Sequence, residues 1–405
     1  MRDFEKDIAS ASRFRKVLPE TEFSWSLSRH RLFHFCKRAC FLHYYLAQGG
    51  WDVYADPLVR EVYSLKKLLP LKLHLSGIFE DSLSEALLRT RGISGPPVEK
   101  KKLLLGLLLR SLSRKASGAF PGRADSSSGS GEEGGTGIHW NLLEHFYGVR
   151  GFSTAEAVHR RIRESLGKAW RFLGASPLAD ELSGLTENDL LFCSRIAAFR
   201  YGSCRVWFHP GTVWFRKNTA FALRCDFPGA ENSAAPRRRQ ASRSCACSGS
   251  PPCQEESAEQ EKEHLLLKGG KKIPSGGKDT DTGMPAEEAE NSSEDAALFA
   301  LYAKERWKSE SVVFRILRFP GEGEGEEEGE CGVLEEVTPC TGIGEIIRDS
   351  VREMLRPLRK DGTFDIADFP PAEEHGDRTR CTFCRFRQIC RKIRSAAAEQ
   401  QEGKP

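Results

Sequence analysis

The residues best suited to chemistry in this chain are four cysteines at its two ends. Three of them form the compact run Cys381-x2-Cys384-x5-Cys390, and Cys36 lies near the start, in FHFCKRAC. Thiolates of this kind bind zinc or the irons of an iron–sulfur cluster. A site that used all four would join the two ends of the chain, and the binding free energy of the metal would become part of the free energy of folding.

The spacing of these cysteines distinguishes the two metals. Structural zinc sites usually take their ligands as pairs that are close in sequence, whereas iron–sulfur clusters also occur with irregular and remote spacing. The chain has a single CxxC pair, Cys381 and Cys384. The pattern therefore favours a [4Fe–4S] cluster over zinc. Cys40 lies one helical turn after Cys36 and is the alternative N-terminal ligand.

The other cysteines carry a weaker signal. Cys245-x-Cys247-x5-Cys253 is a second, less favoured candidate for a metal site. The remaining cysteines are interpreted as core or linker thiols, and they are Cys193, Cys204, Cys225, Cys331 and Cys340. The total of 13 cysteines is odd, and the first residues lack the apolar region of a signal peptide. We therefore expect a cytoplasmic protein with metal-binding thiols rather than disulfides.

The charge of the chain is nearly balanced but unevenly distributed. The formal net charge is +4, from 61 basic and 57 acidic residues, and this balance identifies no partner. Basic residues crowd both cysteine regions, whereas acidic residues collect in 321–330. Locally basic ends would suit nucleic acid, although a solvated surface accounts for them equally well. No apolar run approaches the ~18 residues of a membrane span, so no membrane partner is expected.

The pattern of apolar residues predicts helices first, a mixed sheet in the middle and a cysteine-bearing tail, which is an α/β or α+β arrangement. A first helix is predicted to begin at a Ser28 cap and to carry Cys36 on its apolar face. The further predicted helices are Gly77–Arg89, Trp140–Tyr147, Ala155–Leu173, Ala296–Trp307 and Ile343–Leu355. The predicted strands are Cys204–His209, Thr212–Arg216, Ala220–Cys225, His264–Lys268, Ser311–Phe319 and Cys331–Val337.

Composition divides the chain into ordered and unordered parts. Segments poor in apolar residues cannot offset the entropy lost on ordering, so we expect them to be disordered. The predicted division is a flexible N-terminus (1–23), a helical part with the first half of the core (24–227), a disordered insertion (228–262), a core strand (263–270), a second disordered insertion (271–295), the second half of the core (296–378), the cysteine segment (379–394) and a disordered tail (395–405).

The run Ser24–Trp51, SWSLSRHRLFHFCKRACFLHYYLAQGGW, resembles the opening of RecB-like PD-(D/E)XK nucleases of the iron–sulfur type. This group includes CRISPR-adaptation nucleases and the nuclease domains of bacterial helicase–nuclease repair complexes. In it, an early FxxC cysteine and a terminal CxxC-x5-C trio hold one [4Fe–4S] cluster, which implies Cys36, Cys381, Cys384 and Cys390 as ligands here. The resemblance covers Ser24–Trp51, Leu65–Leu88, Trp140–Leu173 and, with insertions, Val206–Lys392.

The resemblance implies an α/β fold with a restriction-endonuclease-like mixed sheet flanked by helices. The cluster would join the N-terminal helical part to the C-terminal cysteine tail. Such nucleases cut DNA with Mg²⁺ or Mn²⁺, which two or three carboxylates hold while a lysine helps to activate water. The family pattern is GxxxH on a helix, an Asp on a strand, D-x-K on the next strand and QxxxY on a further helix.

Two of these motifs fall before the long insertion. The GxxxH motif aligns with Gly77–Asp81, which places Asp81 at the histidine position. The strand aspartate aligns with Asn218, whose side chain lacks the charge, and an alternative alignment offers Asp226. Aspartate can bind a hard metal ion, so Asp81 is a change of ligand rather than a certain loss.

The other two motifs fall within and after the insertion. D-x-K aligns with Leu266–Lys268, so the lysine is kept and the carboxylate is replaced by Leu266. QxxxY aligns with Leu298–Tyr302, so the tyrosine is kept and the glutamine is lost. Each motif departs from the family pattern at one position. A site with so few acidic ligands would hold a hard dication weakly.

These departures predict a DNA-binding protein with lost or much reduced nuclease activity. It would act in DNA repair, recombination or processing, alone or beside a helicase or nuclease subunit. One alternative is an active exonuclease whose metal is held by a different set, Glu80, Asp81, Glu85 and Asp226. A second alternative is a metal-stabilised interaction protein with no role in nucleic-acid chemistry.

Overall fold

The structure is a computed structural model that describes residues 16–17, 23–118, 142–149, 152–193, 196–227, 286–319, 332–360, 362–372, 381 and 384–402. The helices are α1 (Leu27–Phe35), α2 (Lys37–Phe41), α3 (Pro57–Lys66), α4 (Leu71–Thr90), α5 (Pro97–Gly118), α6 (Leu143–Phe146), α7 (Ala155–Ala175), α8 (Pro177–Ser183), α9 (Ala286–Trp307), α10 (Ile343–Leu355) and α11 (Arg387–Glu402). The strands are β1 (Lys16–Val17), β2 (Phe23–Ser26), β3 (Leu190–Phe192), β4 (Ala197–Tyr201), β5 (Cys204–Phe208), β6 (Thr212–Arg216), β7 (Thr219–Asp226), β8 (Ser311–Arg318), β9 (Val333–Val337) and β10 (Thr363–Phe364).

A five-stranded mixed sheet lies at the centre of the fold, in the order β3-β6-β7-β8-β9. β6 and β7 form an antiparallel hairpin, whereas β7 and β8 run parallel and are connected through α9. Parallel neighbours need such a crossover, because a tight turn can join only antiparallel strands. β3 and β9 close the two edges in antiparallel pairing. The predicted mixed α/β class is therefore confirmed.

The two faces of this sheet pack against different helices. Alternate residues of a strand point to opposite faces, and β7 shows this clearly. Leu223 and Cys225 belong to a core shared with α4, α5, α7 and α8. Ala220 and Ala222 belong to a core shared with α9 and α10. The sheet is thus the middle of three layers, which is a common way to bury both faces.

A second sheet has the order β2-β5-β4. β2 comes from the N-terminal part of the chain and runs parallel to β5, with Trp25 beside Val206. The indole nitrogen of Trp25 donates a buried hydrogen bond to the Ser350 hydroxyl of α10 at 2.9 Å. These contacts fix the N-terminal part of the chain against the central fold.

A third core joins the two ends of the chain. Phe41 and Leu42 from the N-terminal helices pack in the same cluster as Phe386 and Ile389 from the C-terminal segment. Burying a large apolar side chain typically stabilises a fold by about 1.5–3 kcal/mol. The ends therefore meet through ordinary packing, before any contribution from a metal.

Several predicted elements are confirmed. The predicted helices Gly77–Arg89, Ala155–Leu173 and Ile343–Leu355 correspond to α4, α7 and α10, and the predicted strands around 204–225 correspond to β5, β6 and β7. α5 was not predicted, because its run LLLGLLL is apolar on every side and gives no helical period. The predicted strand His264–Lys268 lies outside the described residues.

Three details of the prediction were wrong. The side chain of Ser26, not Ser28, caps α1 by accepting a hydrogen bond from the amide of Arg29. Cys36 does not lie on a continuous helix, because its extended backbone separates α1 from α2. α9 begins at Ala286 and α11 continues to Glu402, so both helices extend into segments predicted to be disordered. Alanine, glutamate and glutamine dominate these extensions, and all three favour helix.

We expect Gly211→Ala to destabilise the fold by about 2 kcal/mol or more. Gly211 precedes β6 with φ +80, and an added Cβ would lie 2.0 Å from the carbonyl oxygen of Leu223. Denaturant unfolding measures the change. Gly106→Ala is the matched control, since a Cβ there meets no atom within 4 Å and should stabilise α5 by about 0.5–1 kcal/mol. Equal stability of the two variants would contradict this account of Gly211.

Candidate functional site

The four cysteines singled out in the sequence line one cavity between the two ends of the chain, together with eight other residues. The complete lining is Cys36, Arg38, Ala39, Leu42, Pro371, Cys381, Cys384, Phe386, Arg387, Cys390, Arg391 and Arg394. Cys40 is not part of this lining. Its side chain is buried elsewhere in the same core, and burial raises the pKa of its thiol to about 12. The structure thus places Cys36, rather than Cys40, with the C-terminal trio.

Cys36 reaches the cavity because the helix is interrupted at this residue. Its backbone is extended, with φ −163 and ψ 114, between the end of α1 and the start of α2. Its sulfur accepts a hydrogen bond from the amide of Ala39 at 3.4 Å, in the position of a helix cap.

Hydrogen bonds from arginine side chains to backbone carbonyl oxygens join the C-terminal part of the chain to the N-terminal part. Arg385 donates to the carbonyl oxygen of Leu68 at 2.6 Å, and the side chain of Arg38 donates to the carbonyl oxygen of Phe369 at 2.6 Å. Phe386, between Cys384 and Cys390, is buried in the shared core. The trio is therefore positioned by residues that are interleaved with the cysteines themselves.

The electrostatics of the cavity suit an anionic group. Four of its lining residues are arginines, one from α2 and three from α11. Burial raises the pKa of the Cys384 thiol to about 12, with smaller contributions from the neighbouring Cys36, Cys381 and Cys390. A thiolate at Cys384 would therefore be unfavourable without a metal, whereas bound iron or zinc would compensate its charge.

The donor set fits a metal cluster in composition and location. Within the part of the chain that the structure describes, no three His, Cys, Asp or Glu side chains have the geometry that holds a single metal ion. In an iron–sulfur cluster the thiolates bind different irons, so they need not converge on one point. Cys36, Cys381, Cys384 and Cys390 are the residues that would hold such a cluster, and Cys245, Cys247 and Cys253 lie outside the described residues.

The predicted GxxxH motif falls on helix α4. The carboxylate that this helix turns toward the sheet is Glu80, whereas the alignment indicated Asp81. Asp81, at the motif position, has a side chain that is 58% exposed and lies 3.9 Å from the Lys115 ammonium. Its neighbour Glu80 is buried and accepts a hydrogen bond from the backbone amide of Cys225 at 2.9 Å. The buried residues Leu83 and Leu87 could have shown this, because they follow Glu80 by three and seven positions and so share its helix face.

Glu80 accepts this hydrogen bond at a part of β7 that no longer pairs with β6. The pairing of β6 with β7 ends at Thr212 and Leu223, so Glu80 supplies the acceptor for the Cys225 amide beyond that point. Burial raises the pKa of the Glu80 carboxyl to about 7, although the hydrogen bond and the charge of Arg224 act in the opposite direction. His209 lies 3.6 Å away.

A group of charged side chains lies at the same end of β7, and we call it the charged cluster: Glu80, Arg224, Asp226, Asp295 and Arg318. Arg224 on β7 donates to Asp295 of α9 at 2.6 Å. Arg318 on β8 donates to Asp226 on β7 at 2.8 Å. Asp226 and Asp295 thus each pair with an arginine, and the one remaining carboxylate, Glu80, accepts from a backbone amide.

Asn218 lies at the other end of β7. It forms the two-residue turn between β6 and β7 with Lys217, and both residues have positive φ. This is the geometry of a type I′ turn, which asparagine readily adopts. Strands rise about 3.3 Å per residue, so Asn218 and Asp226 are separated by roughly 25 Å. The structure therefore brings Asp226, not Asn218, close to Glu80.

The remaining motif positions do not meet at the charged cluster. Leu266 and Lys268 lie outside the described residues. Tyr302 belongs to the core between α9 and the second sheet, with ring centroids 5.2 Å from Phe208 and 5.0 Å from Trp307. It lies about two helical turns beyond Asp295.

The structure separates the four carboxylates of the alternative metal site into two pairs. Glu85 accepts from the Ser111 hydroxyl and from Arg114, both on α5, at 2.6 Å. Asp81 likewise faces Lys115 on α5, whereas Glu80 and Asp226 belong to the charged cluster. Sequence analysis missed the arginines of this cluster, although Arg224 and Asp226 alternate on β7 and so share one face.

Comparison with protein-family models, with curated proteins and with solved structures finds no match for this chain. No helix among the described residues combines the length and the apolar character that crossing a membrane requires.

Cys36→Ala is expected to remove the bound metal, and Cys40→Ala is expected to keep it. Of these two cysteines, Cys36 lines the cavity with Cys381, Cys384 and Cys390, and Cys40 does not. Iron and zinc content per chain and visible absorbance, measured after anaerobic purification, test this directly. The melting temperature of Cys36→Ala should also fall, because metal binding contributes to folding. Full metal content in Cys36→Ala would overturn the assignment.

Glu80→Gln is expected to change how stability depends on pH. The folded-state pKa of Glu80 is about 7, above its ordinary value of 4.5, so the parent loses stability as pH rises through this window. The variant should lack this loss and gain up to about 3 kcal/mol relative to the parent above pH 7. Urea unfolding at several pH values measures it.

Glu85→Gln is the control variant, because Glu85 should change the pH dependence of stability in the opposite direction to Glu80. Hydrogen bonds from Ser111 and Arg114 lower the pKa of Glu85 to about 2, so this carboxylate stabilises the fold above pH 4.5 and the contribution is lost as pH falls toward 2. Parallel pH profiles for the parent and Glu80→Gln would show that Glu80 is not protonated near neutrality.

Proposed function

We propose that this chain is a DNA-binding protein on a RecB-like PD-(D/E)XK nuclease scaffold, with a [4Fe–4S] cluster at its joined ends and with nuclease activity lost or much reduced. The observation that carries the proposal is the shared cavity of Cys36, Cys381, Cys384 and Cys390. When bound, the cluster would supply metal–thiolate bonds that link the two ends of the chain.

The layered arrangement supports the nuclease scaffold. A mixed sheet has α4 on one face and α9 on the other, and the hairpin β6–β7 precedes the helical crossover to β8. The resemblance implies such a sheet, with motif helices on both sides. The charged cluster lies where α4, β7 and α9 come together, which is the place in this arrangement where metal ligands would be expected.

The composition of the charged cluster supports lost activity. A divalent cation requires several oxygen ligands at about 2–2.5 Å. Here Asp226 and Asp295 each accept a hydrogen bond from an arginine at 2.8 Å or less. Glu80 accepts a hydrogen bond from a backbone amide, and burial raises its pKa to about 7, which disfavours the charged form that a metal ion would bind. A metal ion would have to displace these bonds and enter beside two guanidinium groups.

The basic lining of the cysteine cavity supports a nucleic-acid partner. Arg387, Arg391 and Arg394 all belong to α11, close to the joined ends. Contacts of arginine with phosphate release counterions and make binding strongly dependent on salt. A helicase or nuclease subunit could provide the catalytic activity that this chain would lack.

The test combines binding and cleavage. We expect purified, metal-loaded protein to bind DNA at low salt and to lose affinity steeply as salt rises, as measured by fluorescence anisotropy. Incubation with labelled DNA and Mg²⁺ or Mn²⁺ should give no cleavage. Cleavage that persists in the parent but vanishes in Glu80→Gln and Asp226→Asn would show an active enzyme. These two variants also distinguish real activity from a contaminating nuclease.

Failure to bind DNA at low salt, with the cluster loaded, would reject the DNA-binding role. The alternative would then be a metal-stabilised interaction protein. Zinc in place of iron, with the cavity intact, would change the identity of the metal but not the joining of the two ends.

A further inference from the structure

Among the described residues, one face of the second sheet is largely exposed to solvent. Its inward residues belong to the core with α9 and α10, and they include Trp25, Val206 and Phe199. Its outward side chains form what we call the outer sheet face: Ser24, Ser26, Ala198, Arg200, Arg205 and Trp207. Five of these six side chains are small or charged.

Trp207 is the exception on this face. It is 39% exposed, and its cross-strand neighbours are Ala198 on β4 and Ser26 on β2. Both neighbours are small, so they leave the indole uncovered. The guanidinium of Arg205 lies 5.9 Å from the Trp207 ring centroid. An exposed indole beside an arginine offers a planar aromatic surface and a positive charge together.

The charge of the outer sheet face favours an anionic ligand. Of its six outward side chains, two are arginines and none is a carboxylate. Arg200 and Arg205 occupy paired positions on neighbouring strands. Glu305 and Arg306 of α9 line the shallow groove beside Ala198, and their opposite charges offset each other. The formal charges of these six side chains therefore sum to a positive value around an aromatic centre.

The backbone beneath this face is firmly held. Val206 and Phe208, on either side of Trp207, are buried, and β5 is paired on both sides, with β2 and with β4. A side chain on a central strand is placed more accurately than one on a loop. Trp51 is more exposed, at 67%, but it lies in a turn between the N-terminal helices and α3, next to Asp52.

We propose that the outer sheet face binds single-stranded DNA, with a base stacked on Trp207 and the backbone phosphates near Arg200 and Arg205. This inference rests on the proposed DNA-binding function and names its surface and the form of the DNA. Single-stranded binding proteins combine a positive surface with aromatic side chains on which unpaired bases stack. Bases in a duplex are already stacked on one another, so an indole fixed in a sheet cannot reach their faces.

The test compares Trp207→Ala with Trp51→Ala in the full-length, metal-loaded protein. We expect Trp207→Ala to weaken binding of a labelled oligothymidine by about tenfold, since stacking of one base on an aromatic ring typically carries roughly fivefold to a hundredfold in affinity. Trp51→Ala should bind like the parent, and Trp207→Phe should keep most of the affinity. Fluorescence anisotropy measures each dissociation constant at fixed salt.

Arg205→Ala tests the charge separately. Loss of one phosphate contact should reduce the slope of log affinity against log salt by about one. Thermal melting checks that each variant is folded, which we expect because both side chains are on the solvent side of the sheet. A duplex of the same length should bind more weakly and be insensitive to Trp207→Ala.

The outcomes separate this inference from the proposed function. If the parent binds DNA and the Trp207 and Arg205 variants bind equally well, the outer sheet face is not the site, while the DNA-binding function stands. If the parent binds neither single strands nor duplex, both proposals fail. A selective loss in Trp207→Ala, with Trp51→Ala unchanged, supports the inference, whereas a loss for duplex alone overturns the choice of single strands.

Discussion

The packing of the two chain ends against each other is the interaction on which the rest of the fold depends. Phe41 and Phe369 are 5.0 Å apart between ring centroids, and Arg38 donates to the carbonyl oxygen of Phe369. These contacts close a loop that contains most of the chain. Loop closure costs chain entropy, although the cost rises only slowly with the length of the loop. Buried aromatic groups and backbone hydrogen bonds offset that cost, so the four cysteines are brought together in the fold itself.

The charged cluster holds neighbouring elements of the fold together through paired charges. Helix α4, strand β7 and helix α9 contribute its carboxylates, which are Glu80, Asp226 and Asp295. The cations beside these carboxylates are arginines of the chain, Arg224 and Arg318. These guanidinium groups keep the carboxylates paired, and they link β7 to α9 and to β8.

Much of the local structure was predictable. The apolar period of Ile343, Ile347 and Val351 matched α10, and the alternation of Cys204, Val206 and Phe208 matched β5. These predictions worked because neighbours in sequence are also neighbours in a helix or strand. Helix α5 was not predicted, because its apolar run shows no helical period. The cap of α1 was placed at Ser28 because several serines are close together there.

The sequence by itself determined which residues could bind metal, where most helices and strands lie and that both ends are basic. Only the tertiary structure decided that Cys36 rather than Cys40 joins the C-terminal trio, and that Glu80 rather than Asp81 faces β7. It also placed Asp226 in the charged cluster, far from Asn218. The physical reason is the same in each case. Spacing along the chain sets which face a side chain takes, but strand register and packing set which distant residue it meets.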